Sequence, residues 1–239
     1  MAKLSVGIIG TGFGAKVHAP AFRTIPGVEV MAIAGQDRRK AALAGQTLGI
    51  PTVHDSWQQL IDDEKVEAVV VAVPPSAHFD VVTAALRAGK HVLCEKPFGV
   101  DAGQAARMWE LARASDRVCM VDYMFRMAPE RVRLKELLDG HEIGRIIRVT
   151  VEWTVRGRAA GNSAWSWQFD PSFGGGVLFA FGAHVVDYLQ WLVGPVRSVA
   201  ARLSTRGGPA QFVPMDRPVA ADTLDAMLLL EGDIPVSIT

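Results

Sequence analysis

The chain has 239 residues, 49% of them hydrophobic, and 25 Lys and Arg balance 25 Asp and Glu for a formal net charge of zero. The lack of a basic excess or a polybasic run argues against a nucleic-acid partner and against binding to a charged membrane surface. No apolar segment is expected to reach the roughly 18 residues of a membrane span. Two cysteines outside any CxxC pair, Cys94 and Cys119, give no disulfide framework and no zinc site. We therefore expect a cytoplasmic protein of one or two domains that binds no metal, no nucleic acid and no membrane.

The first half alternates compact apolar runs with helical patterns. Predicted helices extend to about residue 24 and then cover 38–49, 56–63, 78–90 and 103–115; predicted strands cover 4–10, 28–35, 68–74, 91–95 and 118–123. Unbroken apolar strands separated by helices are typical of a parallel sheet that is covered on both faces. Because parallel crossovers are right-handed, we predict an α/β, doubly wound Rossmann domain over residues 1–122.

The pattern changes near residue 122. A helix is predicted at 130–144, strands are predicted at 145–155, 196–205 and 222–233, and a glycine-led apolar segment lies at 174–194. Apolar and polar residues alternate in 145–155, as in an antiparallel strand with one exposed face. We predict an α+β domain over 123–239 with an open, mostly antiparallel sheet. The last residues, "IPVSIT", resemble a strand that is cut off, so we expect an incomplete domain with an exposed sheet edge near residues 236–239.

A glycine motif follows the first predicted strand. The sequence "VGIIGTGFGA" places Gly10, Gly12 and Ala15 in a G-x-G-x-x-G/A arrangement between a strand and a helix, the context of a dinucleotide-binding turn. Gly10 permits the tight turn, Gly12 lets a pyrophosphate approach the backbone, and Ala15 lets the helix lie close to the strand. The helix N-terminus adds free N–H groups and a positive dipole. His18, inside this helix, is interpreted as structural, with contact to a bound ligand as the alternative.

The end of the second predicted strand bears on the choice between NAD and NADP. A carboxylate at this point binds the ribose 2′-hydroxyl of NAD, but Gly35 stands there, followed by Asp37, Arg38 and Arg39. A missing carboxylate beside arginines favours the 2′-phosphate of NADP, which we take as the preferred cofactor. Two alternatives stay open: the basic residues form the solvated start of a helix, and Asp37 serves as helix N-cap or ribose ligand.

Four stretches, in order along the chain, resemble the Gfo/Idh/MocA family, which includes glucose–fructose oxidoreductase and inositol dehydrogenase. They are "GTGFGAKVHAPAF" (10–22), "AVVVAVPPSAHFDVVTAALRAGKHVLCEKPFG" (68–99), "MFRMAPERVRLKELLDGHEIGRI" (124–146) and "GGGVLFAFGAHVVDYLQWLVG" (174–194). The resemblance covers the whole chain. It implies a Rossmann domain followed by a domain with a large open sheet, through which such proteins often form homo-oligomers.

The resemblance gives Lys96 of the "EKP" stretch a catalytic role, because the family's lysine reaches toward nicotinamide and substrate. Physical reasoning points the same way, since ligands of open α/β sheets bind beyond the strand C-termini and an ammonium there stabilises a developing alkoxide. The stretch "AVPPSAH" (72–78) resembles the loop that borders the cofactor, and its last residue, His78, is interpreted as the start or cap of the following helix rather than as a ligand. The predicted cofactor-binding residues are Gly10, Thr11, Gly12, Phe13, Gly14, Ala15, Gly35, Gln36, Asp37, Arg38, Arg39, Pro74, Pro75, His78, Glu95 and Lys96.

His184 is the second catalytic residue that the resemblance implies. In the family pattern an Asp often lies four residues before this His, but Ala180 occupies that position here. Asp187, one turn further on, is usually tied to helix packing or to a structural hydrogen bond in that pattern. Arg126 has two alternative roles, contact with the substrate and a bridge between the domains. Trp165 and Trp167 also have two, stacking on a sugar ring and packing within their loop. The predicted substrate-binding residues are Lys96, Tyr123, Arg126, Trp165, Trp167 and His184.

The resulting hypothesis is an NAD(P)-dependent oxidoreductase. It would transfer hydride between nicotinamide and a sugar, cyclitol or similar polyol, with Lys96 and His184 handling the proton. The alternative is a non-catalytic NAD(P)-binding regulatory protein of the same fold, since a fold does not guarantee catalysis. Ala180 keeps this alternative open, whereas the presence of Lys96 and His184 argues against it.

Overall fold

The computed structural model describes residues 3–155, 165–206 and 217–239. The chain forms two compact units, Met1–Asp122 and Tyr123–Thr239. Each unit has its own sheet and its own buried apolar core.

The first unit contains a six-stranded sheet in which every pairing is parallel. The strand order is β3-β2-β1-β4-β5-β6, as in a doubly wound Rossmann sheet, and it confirms the predicted fold class. The order reverses between β1 and β4, so the loops after these two strands diverge and leave a crevice at the carboxyl edge. The strands are β1 (Leu4–Ile9), β2 (Val28–Ala34), β3 (Thr52–His54), β4 (Ala68–Val71), β5 (His91–Glu95) and β6 (Cys119–Asp122).

Helices cover both faces of this sheet, and local sequence fixes several of their ends. Asp37 caps α2 by accepting from two backbone N–H groups, and Ser56 and Asp101 cap α3 and α5 in the same way. Two separate apolar clusters, one on each side of the sheet, form the core. The helices are α1 (Ala19–Arg23), which follows a π-helical turn at Gly14–His18, then α2 (Arg38–Leu48), α3 (Trp57–Asp62), α4 (His78–Arg87) and α5 (Ala102–Ala114).

The second unit contains a four-stranded sheet in the order β7-β10-β9-β8. The β10–β7 pairing is parallel, whereas the other two are antiparallel. Val185 and Leu189 of the last helix pack on Leu228, Leu230 and Val236 of the sheet. The elements are α6 (Pro129–Asp139), β7 (Val149–Val151), α7 (Ala183–Leu192), which follows a π-helical turn at Leu178–Gly182, then β8 (Val196–Ser204), β9 (Thr223–Leu230) and β10 (Ile234–Ile238).

The strands differ from the sequence-based prediction in three places. The predicted edge near residues 236–239 is wrong, because β10 lies inside the sheet between β7 and β9. The strand expected over 145–155 is only Val149–Val151 in the structure. The short strand β3 was not predicted, since three residues are too few to show an alternating pattern.

One segment in the described ranges is long and apolar enough, by composition, to cross a membrane. It is the 22-residue stretch Pro171–Leu192, with a mean hydropathy of 1.2. This differs from our expectation of no apolar segment of that length. A core helix of a globular domain passes the same criterion, and Val185 and Leu189 in this stretch are buried in the core of the second unit. The criterion alone is therefore weak evidence of a membrane span.

Candidate functional site

The glycine turn after β1 has the geometry of a dinucleotide cradle. Gly10 has a φ of +126°, and a Cβ added there would overlap the Ala72 carbonyl group, 2.7 Å from its carbon. Gly12 is exposed, and a Cβ added there would meet no atom within 4 Å, so a ligand can approach its backbone. A Cβ at Gly14 would lie 2.8 Å from Ile8 Cγ2, so Gly14 as well as the buried Ala15 permits close packing of helix on strand. The turn thus fits a pyrophosphate.

The end of β2 keeps the cofactor alternatives open. The Asp37 carboxylate accepts from the backbone N–H groups of Arg39 and Lys40 as the N-cap of α2, and its side chain stays about half exposed. Arg38 pairs with Asp55 through its Nε. Both side chains of this pair are exposed, and surface ion pairs of this kind contribute little to stability. Arg38 can therefore leave Asp55 for another anionic partner. The predicted contacts to the adenosine ribose stay predictions.

His78 begins helix α4, in agreement with its interpretation as the start of that helix. Its side chain is fully buried, and its two ring nitrogens lie 2.8 Å and 3.0 Å from the carbonyl oxygens of Pro97 and Val73. Protein carbonyls therefore occupy both ring nitrogens, and the predicted contact of His78 with the cofactor stays a prediction. Pro74 and Pro75, in the same loop, carry no backbone N–H, so their carbonyls are the only backbone groups with which they can hydrogen-bond a ligand.

A cluster of three titratable side chains lies at the carboxyl edge of the sheet. His18 Nε2 is 2.8 Å from Glu95 Oε1 and 3.7 Å from Asp122 Oδ2. Glu95 and Asp122 are register partners that end β5 and β6. Sequence reasoning missed Asp122, although two acids that end consecutive strands of a parallel sheet are expected to lie close together. One nitrogen of His18 and one carboxylate oxygen each of Glu95 and Asp122 lie within 4.8 Å of one another, and a direct hydrogen bond already joins His18 to Glu95.

Lys96 follows β5 directly and is half-buried. Burial lowers the pKa of its ammonium, and the nearby Glu95 and Asp122 carboxylates raise it in part. For Asp122, burial and the negative charge of Glu95 raise the carboxyl pKa, while His18 and Lys96 lower it in part. The edge beyond β5 thus combines a desolvated amine with two acids, one of them held toward its protonated form. Perturbed titratable groups of this kind are frequent at functional sites.

In the second unit, Arg126 forms a two-point ion pair with Asp187 of α7. Its Nε donates to Asp187 Oδ2 at 2.8 Å, and its Nη2 donates to Oδ1. The Asp187 side chain is largely buried and Arg126 is about one-third exposed. This pair gives Arg126 a structural partner within its own unit, and its predicted contact with substrate stays a prediction.

His184 is buried in an aromatic environment. Its ring centroid is 4.3 Å from that of Phe125 and 5.9 Å from that of Tyr123, which meets it edge-on. The turn before it, which includes Ala180, is π-helical at Leu178–Gly182 rather than α-helical. Single π turns inside α-helices often mark functional sites, and a second one, at residues 14–18, follows the glycine turn.

The two predicted tryptophans lie in and before a short 3₁₀ turn, Trp167–Phe169. The Trp165 ring packs on Phe169 with centroids 5.8 Å apart. Trp167 is 38% exposed, so part of its ring is accessible to a ligand. Packing therefore accounts for Trp165, and stacking on a sugar remains a prediction for both.

The chain is similar to proteins that are named as oxidoreductases or dehydrogenases. The chain is 35% identical to "Uncharacterized oxidoreductase sll0816" of Synechocystis sp. over 98% of its length, and 33% identical to "D-xylose 1-dehydrogenase (NADP(+)) 2" of Haloferax volcanii over 84%. It spans 64% and 61% of these two proteins. Its structure superposes on "Levoglucosan dehydrogenase, complex with NADH and levoglucosan" with a TM-score of 0.91 and 29% identity, covering 99% of this chain and 67% of the other.

Family comparison covers both units. Residues 4–123 match the family described as "Oxidoreductase family, NAD-binding Rossmann fold", and residues 132–239 match the "GFO/IDH/MocA C-terminal domain". The glycine turn and the parallel sheet order agree with the first of these matches. The chain belongs to the Gfo/Idh/MocA family of oxidoreductases, whose N-terminal domain is an NAD-binding Rossmann fold.

Proposed function

We propose that this protein is an NAD(P)-dependent dehydrogenase that acts on a CH–OH group of a sugar, cyclitol or similar polyol. The observation that carries the proposal is the carboxyl edge of the first sheet, where the open glycine turn after β1 and the desolvated Lys96 after β5 share one edge. Ligands of such sheets bind at this edge. Relatives named as a D-xylose 1-dehydrogenase and as a levoglucosan dehydrogenase in complex with levoglucosan support the sugar class.

Lys96 is assigned the proton chemistry in the first unit. Nicotinamide, when bound, would supply or accept the hydride. Lys96 would hydrogen-bond the substrate oxygen and stabilise its negative charge as the C–H bond breaks. Because burial lowers the pKa of this amine, it exchanges a proton more readily near neutral pH than an exposed lysine does.

The remaining assignments rest on sequence and family. His184 is proposed as a second proton-transfer group, and its buried ring beside Phe125 and Tyr123 limits its motion. NADP is the preferred cofactor, because Gly35 offers no carboxylate to the ribose. A cytoplasmic homo-oligomer formed through the sheet of the second unit, without nucleic-acid or membrane partners, is proposed on the same basis.

A non-catalytic, nucleotide-binding protein of the same fold is the second candidate. The observation that favours it is Ala180, which stands where the family pattern often has an Asp. This candidate keeps the glycine turn functional and predicts tight binding of NADH or NADPH without turnover.

The experiment is a screen of sugars and polyols, including levoglucosan and D-xylose, with NAD⁺ and NADP⁺ and with nicotinamide absorbance as the readout. Lys96→Met should lower kcat by about 10²–10⁴-fold, the usual worth of a proton-transfer group. Lys3→Met is a matched control, because Lys3 is an exposed lysine at the amino end of β1, away from the carboxyl edge. Nucleotide binding without turnover on any compound would favour the second candidate, and full activity of Lys96→Met would refute the assignment of Lys96.

A further inference from the structure

His78 lies between the loops that follow β4 and β5. Its fully buried ring has Nδ1 2.8 Å from the Pro97 carbonyl oxygen and Nε2 3.0 Å from the Val73 carbonyl oxygen. Val73 directly precedes the proline pair of the first loop, and Pro97 directly follows Lys96 in the second. One side chain therefore connects the backbones of both loops at the carboxyl edge.

We propose that His78 is a positioning residue, which fixes the backbone around Lys96 to the loop that begins at Val73. The first loop is in turn tied to the end of β1, directly before the glycine turn, because the Ala72 N–H donates to the Ile9 carbonyl at 2.8 Å. His78 thus sets where the Lys96 amine stands relative to that turn. The catalytic consequence rests on the proposed function, whereas the effect on Lys96 itself does not.

Two carbonyl partners impose a choice on a neutral ring. A carbonyl only accepts, and a neutral imidazole has a single N–H, so it donates to one of the two carbonyls and faces the other with a lone pair. Burial lowers the pKa of His78, while the two carbonyls and Glu95 raise it in part, so the ring is neutral at neutral pH. We assign the proton to Nδ1, because the contact with Pro97 is the shorter one. The hydrogen bond to Pro97 is then the one that positions Lys96.

Two amide variants separate the contacts. The nitrogen of Asn occupies the place of Nδ1, and that of Gln occupies the place of Nε2. His78→Asn therefore keeps an N–H donor toward the Pro97 carbonyl. His78→Gln keeps an N–H donor toward the Val73 carbonyl but loses the one toward Pro97. Both remain polar and no larger than histidine, and urea denaturation identifies the folded fraction of each. His54→Asn is the matched control, because His54 is a histidine of the edge strand β3 whose ring pairs with Asp63.

The primary readout needs no substrate and no nucleotide. The rate of Lys96 acetylation is followed by mass spectrometry of its peptide as a function of pH, which reports the pKa and accessibility of this amine. His78→Asn and the control should match the wild type, and His78→Gln should shift the profile. With a substrate in hand, His78→Gln should lose about 10²-fold in kcat, the cost of a misplacement near 1 Å, at unchanged nucleotide affinity. Long-range ¹H–¹⁵N correlation should find the wild-type proton on Nδ1.

Three results would overturn the inference. The first is an unchanged Lys96 profile in folded His78→Gln, and the second is an equal shift in both variants. The third is a proton on Nε2 in the wild type. If no sugar is turned over by the wild type, the proposed function fails while the acetylation profile still decides the role of His78.

Discussion

A pair of alanine substitutions in the glycine turn should separate folding from nucleotide binding. Gly10 combines a φ of +126° with a backbone neighbour, the Ala72 carbonyl, where a Cβ would stand. Gly12 has neither feature, since nothing lies within 4 Å of a Cβ built there. The same change, Gly→Ala, therefore meets opposite surroundings two residues apart.

The magnitude for Gly10→Ala follows from two costs. Holding a residue with a side chain in a sparsely populated backbone region costs on the order of 1–3 kcal/mol. Relief of the overlap requires Ala72 to move, which weakens its 2.8 Å hydrogen bond to the Ile9 carbonyl, a loss of about 1 kcal/mol. We expect Gly10→Ala to lower the free energy of unfolding by about 2–4 kcal/mol, a large part of the roughly 5–15 kcal/mol of a typical domain.

Gly12→Ala should leave stability unchanged or raise it by up to about 1 kcal/mol, because alanine reduces the freedom of the unfolded chain. Its methyl group would occupy the space through which a pyrophosphate approaches the backbone. We therefore expect NAD(P)H binding to weaken at least about tenfold, or 1.4 kcal/mol.

Urea denaturation gives the free energy of unfolding, and calorimetric titration with NADH and NADPH gives the affinities, both for the two variants and the wild type. The reasoning would be refuted by a Gly10→Ala protein as stable as the wild type. It would equally be refuted by a Gly12→Ala protein with unchanged affinity for both nucleotides, because the open space at Gly12 would then serve no pyrophosphate.

Three further outcomes are expected. NADPH should bind more tightly than NADH by calorimetry, and Arg39→Ala should reduce that preference; equal or tighter NADH binding would instead point to Asp37 as ribose ligand. Replacing Arg126 with lysine should lower the free energy of unfolding by about 1–3 kcal/mol, since one hydrogen bond to a largely buried carboxylate is lost; an unchanged urea midpoint would contradict this. The folded state raises the pKa of the Asp122 carboxyl group. The stability that the protonated carboxyl group contributes is therefore fully present below the pKa of the unfolded state, and it is lost as pH rises through the pKa of the folded state. Asp122→Asn should therefore gain stability relative to the wild type as pH rises through that window, and a pH-independent difference would exclude the effect.

Local sequence was sufficient for much of the first unit. Runs such as Ala68–Val71 are buried on both faces and therefore are apolar throughout, which predicts a parallel sheet without further information. The glycine motif names the residues that need a side-chain-free backbone, so the tight turn at Gly10 and the open approach at Gly12 could be predicted before the fold was known. The resemblance of four ordered stretches then predicted the family, which the comparisons confirm.

Tertiary structure decided what depends on residues far apart in the chain. The approach of His18 to Glu95 and Asp122 requires the helical turn after β1 to meet the ends of β5 and β6, and no local pattern encodes that meeting. Local sequence predicts a helix that starts near His78, but only the folded loop around Pro97 shows that protein carbonyls contact both nitrogens of its ring. The place of β10 inside its sheet depends on pairing with β7, more than 80 residues earlier. Hydrophobic periodicity and turn residues act over a few positions, so sequence patterns specify the individual helices and strands. The order of strands and the burial of a side chain between loops arise from contacts between distant residues, so they are decided only in the folded chain.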